Sequence, residues 1–265
     1  MTNEEFSNQF STLLNSYGSV AQFGDQASRQ EIVLDEYEKS AFLTQAQDVI
    51  VKSYYDRTLN PQGQGFDDST RRQVDFSSLI KVAELSPITS TGTLFDDRSI
   101  LFQLPPRSNT SIDYNTDVLM ILNEKLLKMD GSSVDKVYVI KPISYSEYDR
   151  QMSKAYTKPL KKQAWRLFQN QADGFDVMSE VIPRVTLASG ESWKYRIRYV
   201  KRPRPIILES LPDGLSIDGI SEETSCELNP ILHMDILAKA VELAYISRAG
   251  GIPQERNQNK PERTA

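Results

Sequence analysis

Cysteine and histidine are all but missing from this chain: Cys226 and His233 are the single examples among 265 residues. A lone thiol forms no internal disulfide, which suits a reducing cytoplasm or a particle assembled there. The pair offers no His/Cys spacing for zinc. Cys226 has no base beside it in EETSCELNP and reads as a buried or half-buried thiol. His233 falls in the first turn of a helix and reads as a surface or interface residue. Phosphate loops of the GxxxxGK[ST] or GxGxxG type are absent, Gly63-Gln64-Gly65 being too little to stand for one. No apolar run approaches the roughly eighteen residues of a membrane span, and the start, MTNEEFSNQF, lacks the basic and apolar regions of a secretory signal. Asp96-Asp97 and Glu222-Glu223 read as turn and cap residues rather than as catalytic carboxylate pairs. These absences argue against an enzyme, a cofactor, a metal and a membrane partner.

What is present is an ordinary globular composition, 39% apolar and 25% charged, with 12 Gly and 13 Pro. The net charge of −5 argues against attraction of the whole chain to nucleic acid but leaves room for a local basic patch. The strongest periodicity lies in Leu34–Asp56. Leu34, Tyr37, Ala41/Phe42, Ala46, Ile50 and Tyr54 recur three or four apart, the stripe of an amphipathic helix. Asp35 and Glu38 form a capping-box pattern. A second helix opens at Asn229-Pro230, with Leu232, Ile236, Leu237, Ala240, Val241 and Ala244 on one face. Phe6, Phe10, Leu13 and Leu14 mark a shorter one near the start.

Between them the texture is β-rich. Trp193–Val200, WKYRIRYV, alternates strictly, as a strand with one buried face does. Asp130-Gly131 between two apolar runs signals a hairpin, although 124–129 would also suit a helix. Ser144–Met152 reads as a short helix capped by Ser144, and Ser99–Leu104, Ala164–Phe168 and Val181–Thr186 read as short strands. The expected architecture is α+β: a helical bundle formed by the N- and C-terminal helices with a central β-rich insertion. Its expected parts are residues 1–80 plus 229–252, a β-rich domain at 81–228, and a flexible polar tail at 253–265.

Two basic segments are candidate surfaces. Lys194, Arg196 and Arg198 share one strand face, and Lys201, Arg202 and Arg204 extend it towards a partner or DNA phosphates. Lys158, Lys161 and Lys162 lie beside Tyr156 and Trp165, residue types that anchor protein interfaces, while Trp165 suits a core equally well.

Five stretches taken in order then resemble one family. They are LDEYEKSAFLTQAQDVIV, RRQVDFSSLI, PISYSEYDRQMSKAYTKPLKKQAWRL, YRIRYVKRPRPIIL and CELNPILHMDILAKAVELAYISRAG. Together they are similar to the ring-forming head–tail connector, or portal adaptor, of crAss-like and related Bacteroides podoviruses. The resemblance implies a tail-tube-adaptor-like fold and a non-enzymatic virion structural protein. It implies a homo-oligomer in a twelve-fold ring that contacts the portal protein, other tail rings and the packaged double-stranded DNA. It places the protein at the head–tail interface of a virion made in the bacterial cytoplasm. The rival readings are a more distal tail ring, a virion-associated nucleic-acid-binding accessory protein using 194–204, and a virion-borne hydrolase.

Overall fold

Alternating burial decides the largest element. A computed structural model describes residues 1–20, 33–55, 76–88, 98–106, 116–154, 159, 161–170, 177–212 and 214–248. Its contacts divide the chain into two units. The sheet unit is 76–203 with 218–220, and the helical unit holds 1–75, 204–217 and 221–265.

The sheet unit has seven strands: β1 (Ile80–Leu85), β2 (Ile100–Gln103), β3 (Val118–Asp130), β4 (Ser133–Pro142), β5 (Gln163–Asn170), β6 (Val177–Pro183) and β7 (Glu191–Lys201). They form one mixed sheet in the order β1-β7-β3-β4-β5-β6-β2. Every neighbouring pair is antiparallel except β4 with β5. A parallel pair needs a crossover, and α3 (Tyr145–Met152) lies in it. The backbone N–H of Glu147 donates to Ser144 Oγ at 3.2 Å, as the sequence predicts. β3 is a single 13-residue strand that includes 124–129. Gly131 closes the β3–β4 hairpin at φ 57°, a conformation that favours glycine.

Two register shifts between β3 and β7 add twist to the sheet. Just past β1, Ile88 bridges to Leu101 in β2, its N–H donating to the Leu101 carbonyl at 2.9 Å. The sheet therefore curls until the chain beyond one edge strand reaches the other edge. Its concave face holds one core with side chains from all seven strands, from Ala83 and Phe102 through Leu126, Tyr138, Ala164 and Val181 to Tyr195 and Ile197. Tyr138 meets Trp193 edge-on with ring centres 5.3 Å apart. A smaller cluster on the other face of β5 and β6 lies under α3, where Trp165 meets Tyr148 edge-on.

The helical unit contains α1 (Asn3–Val20), α2 (Glu36–Tyr55) and α4 (His233–Arg248), the last entered through a 3-10 turn at Pro230–Leu232. Asn229 caps that turn, its side chain accepting from Ile231 N at 3.2 Å. Glu38 N donates to Asp35 Oδ1 at 2.7 Å, so the capping box forms. α4 packs against both α1 and α2, and Phe6, Phe10 and Leu14 of α1, Leu43, Ala46, Ile50 and Val51 of α2 and the whole predicted stripe of the closing helix are buried.

The expectation of a tail-tube-adaptor-like helical bundle is corrected here. The dominant element is the curled seven-strand sheet, and the terminal helices are not a bundle on their own. The extended segment 204–208 joins them, hydrogen-bonded along one polar row of α2. Leu208 N donates to Ser40 Oγ at 3.0 Å, Ile206 N to Thr44 Oγ1 at 3.0 Å, and Gln47 Nε2 to the Arg204 carbonyl at 2.7 Å. Ser40 and Gln47 are fully buried, while Tyr37, Ala41 and Phe42 of the expected stripe are half-buried. Hydrophobicity alone misplaces that face, because its polar side chains are satisfied by backbone from elsewhere in the chain.

Candidate functional site

The convex face of the sheet presents a basic, partly apolar grid. Alternation along β7 sends Trp193, Tyr195, Ile197 and Tyr199 into the core and Lys194, Arg196 and Arg198 to the opposite face. Register supplies their neighbours. Arg196 lies between Glu84 of β1 and Lys125 of β3, and Lys125 is opposite Val139 of β4; Arg198 lies between Val82 and Asn123. Arg196 Nε donates to Glu84 Oε1 at 2.7 Å. The three valines on this face are exposed: Val82 at 56%, Val137 at 45% and Val139 at 61%.

The rest of the predicted basic strip does not continue this face. Lys201, opposite Val118, and Arg202 are half-buried, with Arg202 N donating to the Asp117 carbonyl at 2.8 Å. Arg204 belongs to the helical unit, where its Nε lies 3.5 Å from Glu227 Oε1. Lys161 and Lys162 are exposed in the turn before β5. Trp165 is buried beneath α3, in the chain's own core. Tyr156, Lys158 and the segment 253–265 lie outside the described residues.

Sequence reasoning missed a polar cluster inside the sheet unit. Tyr195 Oη donates to Glu124 Oε2 at 2.6 Å. Arg166 Nε lies 2.7 Å from the same oxygen, an ion-pair contact in which the N–H is not aimed at the carboxylate. The guanidinium also stands 3.9 Å over the Phe168 ring. Burial, reinforced by the Glu124 charge, holds the Tyr195 phenol far above its ordinary range, so it stays a donor. At the β3–β4 hairpin end, Lys128 Nζ contacts Glu191 at 2.6 Å and Asp135 at 3.5 Å. The Glu191 pairing raises the lysine's pKa and lowers the glutamate's, so both remain charged. The only sequence signal for the cluster is a charge at an inward position of a strand, Glu124 in β3 and Arg166 in β5.

His233 is buried, not the surface or interface residue expected. Its Nδ1 is 3.0 Å from the Met1 ammonium and its Nε2 is 3.1 Å from the Leu228 carbonyl. The carbonyl needs a donor, so Nε2 carries the proton and Nδ1 accepts. Burial first, and the ammonium charge besides, hold its pKa below the usual histidine value against the opposing pull of Leu228. Burial pushes the Cys226 thiol up to about 11, which makes it a poor nucleophile near neutral pH.

Charge is divided sharply between the units. The sheet unit carries 19 Lys+Arg against 15 Asp+Glu and the helical unit 12 against 21, so the chain's −5 separates into +4 and −9. Among the described residues no cluster of His, Cys, Asp and Glu could hold a metal, and no helix is long and apolar enough to cross a membrane.

The class these features define is a protein built around a curled mixed sheet, with a charged and partly apolar sheet face turned to its surroundings. Comparison with known proteins makes this particular. The chain belongs to the phage tail ring protein 3/4 family, whose model matches residues 1–256. It is similar to ring protein 4/5 of Bacteroides phage crAss001, 40% identical over 256 residues covering 95% of both chains. It is also similar to ring protein 3 of the same phage, 34% identical over 248 residues covering 94% of this chain and 96% of that one. The protein is thus a bacteriophage structural protein of the tail-ring type, a family that points to a non-enzymatic role.

Proposed function

We propose that this protein forms one ring of a stack that joins the portal to the tail, extends the channel for the packaged DNA and docks the next tail component. The observation that carries this reading is the tail ring match over nearly the whole chain. Similarity to two differently numbered ring proteins of one phage adds the idea of a stack built from related subunits. The ring is twelve-fold in this reading, and its partners are copies of itself, the portal and the neighbouring rings. The work is mechanical: subunits hold a channel open and present faces for docking.

The test is to mix the purified chain with the portal ring from the same genome and to image both the mixture and purified particles by electron microscopy. Extra density stacked coaxially on the portal supports the connector position and gives the symmetry. Density only at a lower layer of the particle moves the protein to a more distal tail ring. Absence from the particle removes the ring reading. In that case a nucleic-acid-binding accessory role would lead, favoured by Lys125, Lys194 and Arg198, which have no ion pair recorded among the described residues.

A further inference from the structure

We propose that the convex face of β1-β7-β3-β4 is the seat for the acidic end of the helical unit of a neighbouring copy, so that copies join head to tail. The proposal rests on the ring reading above and names its joint.

Two surfaces on the chain fit each other in charge and in apolar content. The first is the sheet face, with Lys125, Lys194, Arg196 and Arg198 around Val82 and Val139. Arg196 is engaged by Glu84, while the register sets Arg198 between a valine and an asparagine and Lys125 between Arg196 and a valine. Val82 and Val139, more than half exposed among these charges, give the face apolar area that a partner can cover.

The second surface gathers at one end of the helical unit. Asn3 Nδ2 donates to Glu223 Oε1 at 2.8 Å, and Met1 meets His233 at 3.0 Å, so the starts of α1 and α4 and the 222–224 segment come together. Glu4, Glu222 and Asp235 are exposed there. Ile231 and Met234, exposed at 59% and 55%, flank His233 at the same start of α4. An apolar centre inside a charged rim is the anatomy of a protein interface. The two rims have opposite sign, as the +4 and −9 of the units do, and opposite potentials steer and register a docking pair. Two different patches meeting make a heterologous contact, which closes into a ring when the rotation per subunit divides the circle.

Two full-length variants test this. Lys125→Glu with Arg198→Glu reverses the sheet face; Glu4→Lys with Glu222→Lys reverses the acidic end. Wild type, each variant, their equimolar mixture and a chain carrying all four changes are compared by negative-stain microscopy and light scattering, at low and high salt, alone and on the portal ring. Thermal melting checks that each is folded. Wild-type rings are expected to dissolve as salt screens the joint. Each single-face variant should remain monomeric, and the mixture should form rings in which the two variants alternate, because the reversed faces fit each other and so do the unchanged ones. The four-change chain should regain rings. Rings that persist in both folded single-face variants overturn the proposal while leaving the ring reading intact. Intact rings with lost retention on double-stranded DNA also overturn it and assign the sheet face to nucleic acid. A wild-type chain that forms no ring under any of these conditions overturns the joint, while the ring reading itself is decided by the images of purified particles.

Discussion

At the residue scale, the buried side chains make the sharpest demands. Arg166 and Glu124 each keep about a tenth of their side-chain surface in water, 9% for both. Glu124→Ala leaves the guanidinium inside the sheet with no counter-charge, and is expected to destabilise the sheet unit by about 3–5 kcal/mol. Tyr195→Phe removes one donor while Arg166 still serves the carboxylate, so about 1 kcal/mol is expected. Urea midpoints of the two variants check the order, and a larger effect from the phenylalanine would contradict it. His233 gives a pH dependence with a definite sign. Its folded pKa lies below the unfolded value of 6.5, so the unfolded chain takes up the proton first. The stability this histidine supports is therefore full above pH 6.5 and is lost as pH falls from there through the folded-state value. Melting temperatures from pH 7.5 to pH 5 should fall more steeply for wild type than for His233→Gln, and parallel curves would show that the histidine is not responsible.

At the scale of elements, the hydrogen-bonded row on α2 governs how segment 204–208 is held. Ser40→Ala strips the Leu208 N–H of its acceptor, a change expected to cost about 1–3 kcal/mol. Gln45→Ala, on the exposed side of the same helix, should stay within about 0.5 kcal/mol of wild type. Denaturant melts of the pair measure the difference directly. That row also shows where sequence reading stops. Periodicity locates α2 and α4 because apolar spacing is local, and alternation locates β7 for the same reason. Ser40 and Gln47 look like solvent residues until the backbone they serve arrives from the far end of the chain. The ambiguity of 124–129 has the same origin: EKLLKM holds good helix formers, and only the ladders to β4 and β7 on either side draw it into a strand. β1 escapes notice because Val82 and Glu84 face outwards and Lys81, on the inward register opposite Tyr199, is exposed, which leaves Ala83 and Leu85 as its inward signal. Of the candidate surface, Lys194, Arg196 and Arg198 are legible from β7 alone. Val82, Lys125 and Val139 are not, since only strand order brings them alongside.

At the scale of the whole molecule, the sheet unit interrupts the helical one and is bounded by Phe76 and Pro203. With one core drawn from all seven strands, residues 76–203 expressed alone are expected to unfold cooperatively in urea and to give a β-type circular dichroism spectrum. A broad, non-cooperative transition would mean that this core does not sustain itself. The first and last strands of that unit are also side by side: β1 starts at Ile80, and Ile80 pairs with Val200 near the end of β7. Both tethers therefore leave from the same end of one antiparallel ladder, which gives the sheet a mechanical character. Force applied between the tethers loads the rungs one after another, the weak direction of a ladder. Force applied to both tethers together runs along β1 and β7 in the same sense and leaves their rungs slack. Drawn by both, the pair travels as a single rod; prised between them, it opens like a zipper from Ile80.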